Sequence, residues 1–150
     1  MIPHCTTCDR DAELTDSAEI YGRSYGPIWI CRECRAYVGC HPGTTKPLGT
    51  LADAETREWR SKAHAAFDYL WRIKTQREQC SRNKARSAAY RWLSEQLGIE
   101  PEQCHIGMMS ASQCRKVVDL CAAVINKTVE EQRRRNGLFV VRVEQENETC

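Results

Sequence analysis

The chain is predicted to be α+β: an N-terminal zinc ribbon built on a short antiparallel sheet, a three-helix region, and a short C-terminal strand. Three observations carry this expectation. Two Cys-x2-Cys pairs, Cys5/Cys8 and Cys31/Cys34, stand 22 residues apart. The stretch between them alternates polar with aromatic or branched residues and holds Gly22 and Gly26-Pro27, which is a hairpin pattern. Beyond residue 50, apolar side chains recur at steps of three and four, the period of an amphipathic helix.

The cysteines set the first element. Ten cysteines in 150 residues pose a choice between disulfides and metal ligands. The opening MIPHCTTCDRD has no charged segment followed by an apolar one, so no secretory leader is expected and reduced thiols are favoured. A Cys-x-x-Cys turn aims two thiolates at one ion, and two such turns close a tetrahedral structural site. Cys5, Cys8, Cys31 and Cys34 are therefore the expected zinc ligands. A thioredoxin-like redox role is disfavoured, because neither pair opens a helix within a βαβ pattern. His4, Cys40 and His41 lie close in sequence and are candidates for additional ligation, although packing around the site without ligation is the heavier reading.

Strands are expected near residues 19–23 and 28–31, with a short third at 36–38. A ribbon of this size has little core, so metal binding must supply much of its folding free energy. Residues 41–50 hold two prolines and two glycines and read as a linker. Thr50, with Asp53 three residues on, resembles a capping box that opens a first helix over 51–77. Trp59, Ala63, Ala66, Phe67, Leu70 and Ile73 form its apolar face; Arg57, Arg60, His64, Asp68 and Arg72 form the other. A second helix is expected from about Asn83 to Leu97, stopped by Gly98. Ser110 and Gln113 form a capping box for a third helix reaching about Arg135. Asn136-Gly137 then turns the chain into a β-prone run, Leu138 to Val143, whose partner would be the ribbon or a second copy in a homodimer. The expected organisation is a ribbon module over 1–45, a helical domain with its strand over 50–143, and a flexible tail over 144–150 that leaves Cys150 exposed.

Composition excludes several classes. With 41% hydrophobic and 28% charged residues the chain is neither collagenous nor low-complexity. No apolar run approaches the ~18 residues of a membrane span. Net charge is only +2, but it is unevenly placed: residues 51–98 carry 10 basic and 6 acidic side chains. From Arg72 to Arg91, the residues Arg72, Lys74, Arg77, Arg82, Lys84, Arg86 and Arg91 face one acid, Glu78. Such a patch suits phosphate neutralisation, with Trp71, Tyr90 and Trp92 available for stacking; at helical spacing these aromatics are more often core. His64 and Asp68, at i and i+4, are weak catalytic candidates as an oriented general base. Cys104, His105 and Cys114 are candidates for a second metal cluster, although buried free thiols are the default at positions such as Cys114 and Cys121.

The segments Tyr25-Gly26-Pro27-x-Trp29-x-Cys31-x2-Cys34-x-Ala36-Tyr37-Val38-Gly39-Cys40-His41, Pro47-Leu48-Gly49-Thr50-Leu51-Ala52-Asp53 and Ala63-His64-x2-Phe67-Asp68 resemble a zinc-finger-containing family of unknown function, common in phages and prophages. The resemblance spans roughly residues 5–120 and includes Trp92-Leu93-x3-Leu97-Gly98-Ile99 and His105-Ile106-Gly107-Met108. One departure is Arg35, where many ribbons have glycine. The resemblance implies a zinc module in a small viral protein in the cytoplasm of a bacterial host, and no particular reaction. The favoured function is nucleic-acid binding through the basic helical surface. The alternative is a protein-interaction factor that inhibits a host enzyme or defence complex. A metal-dependent nuclease is the least favoured reading, so a non-enzymatic role is expected.

Overall fold

A computed structural model describes the backbone of residues 1–148 and the side chains of residues 1–137. Three strands form one antiparallel sheet in the order β1-β2-β3: β1 (Glu13–Asp16), β2 (Pro27–Ile30) and β3 (Tyr37–Gly39). Leu14 lies opposite Trp29, and Trp29 opposite Val38, which sets the register across the sheet. The class is α+β, with the sheet at the N-terminal end and helices after it.

The first strand falls earlier than the spacing suggests. Residues 19–23 do not extend; Ala18–Tyr21 forms a single helical turn, α1, closed by Gly22 at φ 71°. Local polar chemistry accounts for the difference. Asp16 Oδ1 accepts from the Ala18 N–H at 2.7 Å, and Ser17 Oγ accepts from the Tyr25 N–H at 2.7 Å, so the chain coils between β1 and β2.

The main helices are α2 (Ala54–Glu78), α3 (Arg82–Leu97) and α4 (Ala111–Glu148). Asp53, not Thr50, caps α2, its carboxylate accepting from the Thr56 N–H at 2.8 Å. Leu51 and Ala52, expected as helix, belong to the ribbon instead: Ala52 exchanges two backbone hydrogen bonds with Tyr37, and Leu51 is buried among Cys5, Cys31 and Val38. Ser81 caps α3 and Gly98 ends it in the left-handed region at φ 66°. The box at α4 forms in both directions, Ser110 N–H to Gln113 Oε1 at 3.1 Å and Gln113 N–H to Ser110 Oγ at 3.2 Å.

The expected C-terminal strand is not formed, because α4 continues through Asn136-Gly137 to Glu148. No described strand lies alongside Leu138 to Val143, so the run's backbone groups are satisfied along a helix instead. The side chains of the expected tail, 144–150 with Cys150, lie outside the described residues.

Two apolar clusters result. One joins Ala63, Phe67 and Trp71 of α2 to Ala85 and Leu93 of α3, to Cys104, Ile106 and Met109 of the connection, and to Cys114, Val117 and Cys121 of α4. The other is the small ribbon cluster of Cys5, Ala12, Cys31, Ala36, Val38 and Leu51. Arg60 ties the linker to the helices. Its guanidinium donates to Thr50 O at 2.8 Å, to Thr50 Oγ1 at 2.6 Å and to Met109 O at 2.9 Å.

At the same junction Gly49 lies against Gly107, where a Cβ would come within 2.1 Å of the Gly107 carbonyl oxygen. Both partners are backbone and cannot swing away. Gly49→Ala is expected to destabilise by about 2–3 kcal/mol, seen as a lower midpoint in urea unfolding. An unchanged midpoint would mean that the two segments separate freely.

Candidate metal centre

Each cysteine pair is held in a tight knuckle. In the first, the Cys5 N–H donates to Arg10 O and the Asp9 N–H donates to Cys5 O, both at 2.8 Å. In the second, the Cys31 N–H donates to Ala36 O at 2.8 Å. Asp9 and Arg35 occupy equivalent places, each four residues beyond its first cysteine, with φ 59° and 55°. Arg35 thus adopts the left-handed conformation that glycine supplies in other ribbons, and the turn forms without it. An ion pair between Arg10 and Glu33 links one knuckle to the other.

The sheet brings the knuckles together, since Cys31 follows directly from β2 and β3 begins three residues after Cys34. The sulfurs of Cys5, Cys8, Cys31 and Cys34 all lie within 4.8 Å of one another, with Cys8 Sγ and Cys31 Sγ at 3.6 Å. Four sulfurs at about 2.3 Å from a tetrahedral zinc stand about 3.8 Å apart, so the cluster fits that ion. Cys5 and Cys31 are buried, whereas Cys8 and Cys34 sit nearer the surface. The backbone N–H of Cys34 holds the Cys31 thiol below its ordinary pKa. Hydrogen bonding with Cys8, then desolvation, pushes Cys34 up to about 12. A bound divalent cation would replace these shared protons, and Cys5, Cys8, Cys31 and Cys34 would hold it as thiolates.

The other candidates lie elsewhere. His4 Nδ1 pairs with Asp11 Oδ1 at 2.9 Å on the exposed surface. Cys40 bridges to Pro47, and His41 is exposed at the start of the linker loop, so neither joins the four sulfurs. Cys104, His105 and Cys114 do not converge as ligands among the described residues. Cys104 and Cys114 are core thiols that burial pushes up in pKa, as it does Cys121, to about 11. His105 is exposed, its ring centroid 6.2 Å from that of Tyr90.

Asp68, a weak candidate to orient His64, is engaged by Trp71. Asp68 Oδ1 accepts from Trp71 Nε1 at 2.9 Å, since the indole on the next turn needs a partner as it is buried. His64 has a lowered pKa, first from partial desolvation, with Arg86 and Arg60 adding to the effect and Asp68 opposing it. Among the described residues, His64 belongs to no group of converging metal ligands. Of the aromatics considered for stacking, Trp71 is core, and Tyr90 and Trp92 are partly buried against it.

A closed set of four cysteine sulfurs beside a three-stranded sheet defines a small α+β protein organised by a structural zinc ribbon. Residues 1–124 match the family described as a zinc-finger-containing domain, and the chain belongs to that family. No curated protein and no solved structure matches it. Zinc is the cofactor that the family and the cluster define together, and Cys5, Cys8, Cys31 and Cys34 would hold it. Its chemistry there is structural, because no coordination position remains open to a substrate. None of the described helices is long and apolar enough to cross a membrane.

Proposed function

We propose that this chain binds nucleic acid through the basic surface where α2 meets α3, with the zinc ribbon as a shaped appendage at the other end of α2. One observation carries the reading: cations from both helices converge on a single place. The guanidinium carbons of Arg72 and Arg82 lie 5.3 and 5.2 Å from the centre of the same Trp71 ring. Arg77, Lys84, Arg86 and Arg91 are exposed on the same two helices. Glu78, the one acid in the stretch, is paired with Lys74 at 2.9 Å and leaves the others uncompensated locally. A dense cationic surface of this kind gains affinity by releasing counterions from the phosphate backbone. It carries no base-reading code, so the expected binding is insensitive to sequence.

The test is salt dependence. Replacing Arg82, Lys84 and Arg86 with alanine together is expected to lower the slope of log K against log salt by about 2–3 for an oligonucleotide, with zinc content unchanged. If the folded, zinc-loaded protein shows no salt-dependent retention on heparin and no gel shift with DNA or RNA, the reading fails.

A second reading has its own support. An open groove of about 620 Å³ between α2, α3 and α4 is lined by Leu70, Ile73, Trp92, Val124 and Val129. Exposed apolar surface of this kind suits protein contact, as in a viral factor that blocks a host enzyme or defence complex. A metal-dependent nuclease has no such support, since the four cysteines would fill the shell of a bound zinc.

A further inference from the structure

The tyrosines of the ribbon have no part in the sheet's core or in the zinc site. Tyr25, in the β1–β2 connection, is 73% exposed, and Tyr21 on α1 is 54% exposed. Tyr21 meets both Tyr25 and Tyr37 edge-on, at centroid distances of 5.9 and 6.1 Å, and its hydroxyl lies 3.0 Å from that of Tyr37. Aromatic side chains ordered by one another but left in water have not been placed for burial. They hold ring faces and edges ready for another flat group.

Two arginines lie directly over these rings. Arg23 lies over the Tyr25 ring at 5.8 Å, and Arg57 over Tyr37 at 3.8 Å. Neither arginine, nor Arg35 nearby, has a carboxylate at ion-pair distance among the described residues. Of the neighbouring acids, Glu19 is ion-paired with Arg32, and Asp16 keeps its charge while accepting from two neutral donors, the Ala18 N–H and Ser24 Oγ.

One side of α2 runs between the tyrosines and the basic helical surface, with the acid Asp68 along it. Arg57, His64, Asp68 and Arg72 follow one another along α2 at steps of seven and four, which places them along one side of the helix. That side runs from Tyr37, under Arg57, to Trp71, under Arg72 and Arg82. The rise from residue 57 to residue 72 is about 22 Å.

We propose that Tyr21 and Tyr25 form a base-stacking platform, flanked by Arg23 and Arg57, that selects single-stranded nucleic acid and leads its backbone along α2 to the basic surface. This rests on the nucleic-acid reading above and narrows it. Bases stacked in a duplex have no free face to offer, whereas single strands stack on aromatics without regard to sequence.

Tyr25→Ala and Tyr21→Ala, each checked for full zinc content, are compared with the wild type against a labelled oligothymidylate and a labelled duplex at fixed salt. The expected result is a loss of about tenfold in single-strand affinity for either variant, with duplex affinity and the salt slope unchanged. Tyr25→Phe retains the ring and is expected to retain the affinity. Unchanged single-strand affinity in both alanine variants, while the triple Arg82, Lys84 and Arg86 variant still weakens binding, overturns the platform and leaves the basic surface standing; the tyrosines would then serve protein contact. If the wild type binds neither probe, the reading of the basic surface fails and the platform falls with it.

Discussion

Cys31→Ser is expected to release zinc and unfold the ribbon while the helices persist. The ribbon's buried cluster consists of Cys5, Ala12, Cys31, Ala36, Val38 and Leu51, so two of its six members are themselves ligands. The apolar surface that remains is too small to offset the conformational entropy of ordering three strands and two knuckles. Structural zinc contributes about 10–16 kcal/mol of apparent binding free energy in comparable small modules, and loss of a single thiolate forfeits much of it. Elemental analysis should show zinc falling from one ion per chain toward none, and dispersed amide signals from the sheet should collapse. Far-UV circular dichroism should keep most of its helical signal, because the cluster around Phe67 contains no ligand. Cys40→Ser and Cys121→Ser are the controls and should keep the metal, since neither sulfur joins the four. Full zinc content in Cys31→Ser would remove the ligand set proposed here.

Phe67→Ala should do the reverse. Phe67 is fully buried on α2, and its ring centroid lies 4.5 Å from that of Tyr90 on α3. Around it stand core residues from α2, α3, α4 and the connection between α3 and α4. Truncation leaves a cavity where several elements meet, at a cost of about 3–5 kcal/mol. For a chain of this length the melting midpoint should fall by roughly 10 °C. Zinc should stay bound at moderate temperature, because the ribbon is closed by its own ion. A midpoint within a degree or so of the wild type would mean that the helices do not share one core. Loss of zinc in Phe67→Ala at low temperature would mean that the ribbon depends on the helices to fold.

The parts legible in the chain were those governed by short spacings. Cys5-x2-Cys8 and Cys31-x2-Cys34 are turns that can be recognised without knowing what lies around them, and they converge as their spacing implies. Ser110 with Gln113, and Gly98 after Leu97, mark helix ends because each satisfies backbone groups within a few residues. The errors arose where two local patterns competed. Thr50 and Asp53 both suit an N-cap; the linker's attachment to Tyr37 through Ala52 decided for Asp53, and Thr50 instead accepts from Arg60. Residues 19–23 look extended, yet the polar contacts of Asp16 and Ser17 coil them. Leu138 to Val143 look like a strand, but a strand exists only when another lies beside it.

The basic run from Arg72 to Arg91 was visible as composition, whereas its convergence around Trp71 was not. Likewise, nothing in the spacing of Tyr21, Tyr25 and Tyr37 indicates that the three rings meet, because α1 and two strands of a folded sheet must first place them.

By itself, then, the order of residues determined the zinc ligands, the α+β class and the ends of most helices, since these depend on contacts within a few residues or on one ion joining two short turns. Only the tertiary structure decided which histidines and cysteines stand apart from the metal, which aromatics are core and which face water, and where cations from different helices gather. Those outcomes depend on side chains distant in sequence and close in space, and the energy of each is set by the neighbours that folding supplies.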